Sequence, residues 1–149
     1  MALEDVLGQC EHSDHPGWYE WRVPGAFNRE VIGTLLVRED AEGTARTRMF
    51  PAPHMGNVHG MIHGGIITAL ADATLFAGPG LLTRQDLGAS VTVELSVQFM
   101  GAGSMAEPLD GLVSILRETG RMIFCQGKIV QGDNAIAGFS GIVRKIAAA

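Results

Sequence analysis

The stretch at residues 57–72, NVHGMIHGGIITALAD, gathers the residue types that could do chemistry. Gly64 and Gly65 stand where a helix opens, although glycine is among the poorest helix formers. Having no side chains, they leave the N–H groups of the first turn open to a ligand oxygen, and the helix dipole favours negative charge developing there. That is oxyanion-hole chemistry, although a lone Gly-Gly pair is also common turn punctuation. Asp72 lies two turns further on, among Leu70, Ala71, Ala73 and Leu75. An unpaired carboxylate buried there costs several kcal/mol or is neutralised, so Asp72 reads either as a residue on the helix's solvent edge or as a working acid that something solvates. Eight residues at about 1.5 Å each put the two features about 12 Å apart along one helix, too far for one short side chain. A shared reaction would then need the helix start of one subunit and the Asp72 of another, most simply across a twofold axis.

The elements that must hold these residues read as follows. Residues 1–30 carry a short amphipathic start and then HPGWYEWRVPGAFNRE, whose aromatics and prolines suggest irregular packing over a core. Residues 31–37 and 44–50 read as strands joined by the polar turn REDAEG, and PAPHM stops the second. Between residues 62 and 82, Ile66, Leu70, Ala73 and Ala77 recur at helical spacing, and GPG at 78–80 halts the pattern. SVTVELSVQFM then alternates, with Val91, Val93, Leu95, Val97 and Phe99 on one face and Thr92, Glu94, Ser96 and Gln98 on the other. Strands at 109–118, 121–131 and 135–146 follow, linked by the turn signals TG and GDN. One long helix facing about six antiparallel strands is an α+β layer arrangement, in which the sheet curls around the helix. Gly101, Gly103, Gly127 and Gly138 suit bulges and close approach in such a sheet.

Composition narrows the function classes. A chain of 149 residues is read as one domain, 1–149, with 46% apolar residues and the balance of an ordinary globule. A net charge of -5 without a Lys/Arg cluster argues against nucleic acid as partner. The acidic start lacks the basic and apolar regions of a signal peptide, which makes the cytoplasm the expected location. The longest apolar run is broken by Asp72 and Pro79 and lacks basic flanks, against a membrane span. Cys10 and Cys125 stand far apart and read as free thiols, with Cys125 as a small core residue. His54, His59 and His63 are interrupted by glycines and have no acidic or cysteine partner at metal-site spacing, so no metal is expected. GFSGI at 138–142 lacks the second glycine of a nucleophile elbow.

NVHGMIHGG, with Asp72 nine positions after His63, resembles the hotdog-fold acyl-CoA thioesterases that carry an HGG motif, in particular the phenylacetate-degradation type. The resemblance covers roughly residues 31–146 and includes VTVELSVQFM and the hairpin ETGR. It implies a central helix wrapped by the curved sheet and hydrolysis of an acyl-CoA, with coenzyme A only as part of the substrate. By that resemblance Asp72 matches the catalytic carboxylate, as general base or nucleophile. Gly64 matches the residue whose N–H binds the carbonyl oxygen, and Asn57 the side chain that orients thioester or water. Thr92 falls where some relatives carry a hydroxyl that holds water, although the alternation places it on the polar face. His63 shapes the loop, and Met61 and Gly65 fall with the substrate-binding residues.

A chain of net charge -5 must hold the anionic tail of coenzyme A by local groups, for which Arg84 and Arg121 are the candidates. RMIFCQGKIV has apolar residues on both faces, Met122 and Phe124 on one and Ile123, Cys125 and Ile129 on the other, which points beyond a dimer to a dimer of dimers. Two other readings use the same pocket: a hotdog hydratase or dehydratase pairing His63 with Asp72, and a non-catalytic acyl-CoA-binding regulator.

Overall fold

The apolar run after His63 folds as one helix, α1 (Gly64–Thr83), and seven antiparallel strands wrap it in a computed structural model that describes residues 11–22 and 25–146. The strands are β1 (Tyr19–Glu20), β2 (Leu35–Glu39), β3 (Thr44–Met49), β4 (Val91–Phe99), β5 (Leu109–Glu118), β6 (Met122–Gln131) and β7 (Asn134–Arg144). They lie in the order β1-β2-β3-β5-β6-β7-β4, so that β4, which follows the helix in sequence, closes the far edge of the sheet. This is the hotdog arrangement, with one strand more than expected. The addition comes from Tyr19–Glu20, which pairs with Val37 and Leu36.

The helix is apolar on nearly all sides, as a helix must be when a sheet encloses it. It is long and apolar enough to cross a membrane, yet 67% of its most apolar window is buried inside this fold. Ile66, Leu70, Ala73 and Ala77 all point into the core, where they join Val37, Met49, Val113 and Ile129. GPG does not end the helix, which runs through it to Thr83. Pro79 forfeits one helical hydrogen bond. Gly78 instead marks the closest contact with the sheet, because a Cβ there would collide with the Val113 side chain. Gly111 of β5 makes the same concession from the other side, since a Cβ on it would lie 2.5 Å from Thr74 Oγ1. Thr74 donates to the Leu70 carbonyl at 2.7 Å, so Thr47, 2.7 Å away, must donate to Thr74 and the buried pair is satisfied. The helix ends at Arg84, which adopts the left-handed φ of 54° while Gln85 N–H donates to Gly80 at 3.0 Å.

The first expected strand is shorter than its apolar residues suggest. Val31 and Ile32 belong to a π-helical turn (Asn28–Ile32), and Ile32 reaches the core from there, 4% exposed. Cys125 is a buried free thiol whose pKa burial pushes up to about 12, and Cys10 lies outside the described residues.

On the outer face, Asp110 is held between two arginines. Arg48 donates through Nε at 2.7 Å and Nη2 at 2.8 Å, and Arg46 through Nη1 at 2.8 Å. Trp18, buried, is flanked by Arg38 at 4.5 Å and Arg48 at 4.9 Å, which ties the segment before β1 to β2 and β3. Replacing Asp110 by Ala leaves Arg46 with only its second partner, Asp40, 3.1 Å from Nε, and Arg48 without its acid. Their exposure of 21% and 33% lets water relieve part of this, so the expected loss is about 2–4 kcal/mol, below that of a fully buried pair. Urea denaturation of Asp110→Ala measures it, and an unchanged midpoint would show that the pair contributes nothing.

Candidate active site

The sheet leaves one stripe of α1 uncovered, formed by Gly65, Thr68, Ala69, Asp72 and Phe76 at helical spacing. Asp72 is half-buried on that stripe, and Thr92 of β4 donates its hydroxyl to Oδ1 at 2.7 Å. Oδ2 has no hydrogen-bond partner among the described residues. The contact contradicts the simple alternation, which put Thr92 on the polar face. Thr92 pairs with Val143 and Glu94 with Ile142, leaving Val93 as an extra residue in a β-bulge. The bulge reverses the phase: Thr92 turns inward with Leu95 and Val97, while Val91 and Val93 are 45% and 53% exposed instead of buried. Nothing within β4 announces the bulge, and only the family resemblance pointed to Thr92.

At the helix start, His63 is the N-cap, in extended conformation. Its Nδ1 accepts from Gly65 N–H at 2.8 Å, and its carbonyl accepts from Ile66 at 2.9 Å and Ile67 at 3.2 Å. Accepting at Nδ1 requires the neutral ring with its proton on Nε2. The first turn is therefore less open than two glycines imply: of its four N–H groups, that of Gly64 alone has no acceptor among the described residues. A negative oxygen placed there would meet the positive end of the helix dipole.

Asn57 stands in the preceding loop, and its Oδ1 accepts from the N–H groups of His59 at 2.9 Å and Met61 at 3.0 Å. Gly60, at φ 73°, allows that tight turn. The Asn57 oxygen thus shapes the loop and its Nδ2 is the part left for a ligand. Met61 is half-buried and bridges to Ser104, beside the helix start.

Arg84 and Arg121 are exposed and stand away from these groups. Arg84, twelve residues past Asp72, is about 18 Å along the axis. Arg121 lies in the β5–β6 turn, where its carbonyl accepts from Lys145 N–H at 2.8 Å. Nearby, hydrogen bonds from Lys145 and then Gln85 hold the Glu118 carboxyl below its usual range. The histidines form no metal centre: His54 Nε2 lies 2.8 Å from the Val31 carbonyl, and no cluster of metal-ligating side chains occurs among the described residues. A concavity of about 770 Å³ lies on the sheet face turned away from α1 and is lined by Ser96, Ser114, Gln126 and Ser140. Neither Asp72 nor Gly64 lines it, and a carboxylate beside an apolar helix face is the stronger pointer to reactivity.

Comparison with known proteins agrees with this fold. A family model described as Thioesterase superfamily matches residues 59–137, from the loop before α1 into β7. The Pseudomonas aeruginosa protein named "Putative esterase PA0474" is 25% identical over 113 residues, 76% of this chain and 84% of its own. The PaaI protein of the E. coli phenylacetic acid degradation operon superposes with a TM-score of 0.67 at 22% identity, over 80% of this chain and 84% of its own. BH2602 of Bacillus halodurans, whose structure was solved with CoA, superposes with a TM-score of 0.62 at 24% identity, over 76% and 74%. The two structural likenesses speak for the fold. The family match spans more than half of the chain and includes the start of α1, Asp72 and Thr92, and by it this chain belongs to the thioesterase superfamily.

Proposed function

We propose that the protein hydrolyses an acyl-CoA thioester to the free acid and coenzyme A, with Asp72 as the reacting carboxylate and the Gly64 N–H of a partner subunit as oxyanion donor. The observation that carries this reading is the half-buried Asp72 carboxylate, held by one hydroxyl with its second oxygen unpaired. The Thr92 bond orients the acid, fixing one oxygen and leaving the other to face outward. The free oxygen can accept a proton from water, which then attacks the carbonyl carbon, or can attack that carbon itself to give a mixed anhydride that water afterwards hydrolyses, releasing the acid and restoring Asp72. The carbonyl oxygen gains the negative charge that the helix start favours, and its collapse expels the CoA sulfur, which takes up the proton. Water supplies the hydroxyl of the acid and the hydrogen of the thiol, so the reaction balances without a further cofactor.

Membership of the superfamily supports hydrolysis, and CoA in the BH2602 structure supports the leaving group. The capping role of His63 Nδ1 speaks against a hydratase that pairs His63 with Asp72, since that ring nitrogen already accepts from Gly65 N–H at 2.8 Å. The shared site is supported by the roughly 12 Å between Gly64 and Asp72 on one helix. The uncovered stripe and the exposed Val91 and Val93 of edge strand β4 are the surface such a partner would cover. Met122 and Phe124, half-buried on the outer face, are the basis for a dimer of dimers.

Asp72→Asn should lower kcat by roughly 10²–10⁴-fold in a thiol-release assay with little change in fold, and near-wild-type turnover would sink the mechanism. Thr92→Val should cost about tenfold, the worth of one hydrogen bond to a charged group. Mixing Asp72→Asn with Gly64→Val tests the partner. Mixed dimers should regain up to half of the wild-type activity, because one of their two sites pairs an intact Gly64 with an intact Asp72. No recovery after demonstrated subunit exchange would reject the shared site. For the CoA tail, Arg121→Ala should raise KM for acyl-CoA and leave it unchanged for a short thioester lacking the nucleotide; equal KM values for acyl-CoA would dismiss Arg121.

A further inference from the structure

Phe99, the last residue of β4, points to the same side as Leu95 and Val97, toward α1. Leu95 and Val97 pack on the core, but Phe99 overhangs the first turn of the helix, and its ring is 56% exposed. Ring atoms Cε1 and Cζ lie 3.4 and 3.5 Å from where a Cβ on Gly64 would be. In a helix that direction tilts toward the N-terminus. The ring therefore stands beside the path by which an oxygen would reach the unpaired Gly64 N–H. Leaving it in water forgoes much of the stabilisation that burying a Phe contributes. Met100 follows it, 59% exposed, and Ile62 N–H donates to Gly103 at 2.8 Å, which ties the loop before α1 to the one after β4.

We propose that Phe99 determines which acyl groups the site accepts, favouring apolar chains unbranched at the α-carbon, flat aryl-acetyl groups included, and rejecting α-branched ones. The proposal rests on the hydrolase reading above. A thioester whose carbonyl oxygen meets the Gly64 N–H carries its α-carbon next to that oxygen, hence next to the ring. A planar ring that stands about a methyl's width from the bare Gly64 backbone bounds a slot. One α-substituent can lie along the ring face, whereas a second meets the ring or pulls the carbonyl away from its donor. Phe99 then acts as a steric sieve at the first carbon of the acyl group, and the bare Gly64 is what lets the slot exist.

The test compares kcat/KM for thiol release from butyryl-CoA and isobutyryl-CoA, and from phenylacetyl-CoA and 2-phenylpropanoyl-CoA, with the full-length wild type, Phe99→Ala and Phe99→Leu. A methyl group in an apolar site is worth roughly 10–200-fold in discrimination, so the wild type should prefer the unbranched member of each pair by at least about tenfold. Phe99→Ala should shrink the preference to about threefold or less through a gain on the branched substrate, and Phe99→Leu, whose smaller change protects folding, should fall between. A ring with only a structural role would lower both substrates together. A wild-type ratio near one, or a ratio that neither variant changes, overturns the role of Phe99 and leaves the hydrolase reading standing. Failure of the wild type to release thiol from any of the four overturns the hydrolase reading itself, and the sieve with it.

Discussion

A twenty-residue helix with hardly a polar side must be enclosed on almost every side, and a single sheet can do this only by approaching the helix backbone itself. Gly78 on the helix and Gly111 on β5 permit that approach, and the buried Thr47–Thr74 hydrogen bond forms because the two layers are so close. The wrap starts with β2 and β3 on one side and ends with β4 on the other, so its two margins leave a gap over one stripe of α1. Asp72 sits in the gap. Its position at a margin, neither in the core nor fully in solvent, follows from how much helix one sheet can cover. The same margin explains why β4 alone presents a row of exposed apolar side chains, since its outer edge has no neighbour within the chain.

What could be read from the sequence follows the same distinction between local and non-local causes. β5, β6 and β7 were legible almost to the residue because alternation and turn residues act within each strand, and the core positions of α1 were legible because helical spacing is local too. GPG misled because its glycine answers to Val113, thirty-five positions away, a contact no window of sequence contains. Val31 and Ile32 misled because apolar residues reach the same core from a π-helical turn as from a strand. The bulge at Val93 is a property of the pairing with β7 and has no mark in VTVELSVQFM itself. Of the site, the glycine helix start and the odd carboxylate were visible as chemistry, while the His63 cap, the orientation of Thr92 and the place of the Phe99 ring exist only in three dimensions.

The glycine pair at the helix start can now be separated into two tasks. Gly65 hands its N–H to His63 Nδ1, and a side chain on it would press against that ring, with Nδ1 2.9 Å from the added Cβ. It is therefore glycine for the sake of the cap. Gly64 keeps its N–H free and leaves a methyl-sized space beneath the Phe99 ring that a Cβ would fill, so it is glycine for the sake of whatever approaches from outside. A cap that satisfies every neighbouring donor but one also makes the remaining donor rigid, because the first turn is fixed on three sides. Preorganised donors stabilise developing charge best, as no reorientation is needed when the charge appears.

Two unsatisfied valences thus remain on one helix, an N–H at its start and a carboxylate oxygen two turns on, and the helix that carries both holds them about 12 Å apart. Neither can satisfy the other within the chain, and each costs the isolated subunit the hydrogen bond it lacks. In the proposed dimer a twofold partner would present the complementary pair in reverse order, each donor facing the other subunit's acid, with a thioester and its attacking water in the space between. On this account the catalytic geometry is a consequence of helix length and symmetry more than of any loop. Substitutions that alter the gap between subunits should then affect turnover even where they touch neither Gly64 nor Asp72, because the quantity that matters is the distance across the axis and not the conformation of either residue alone.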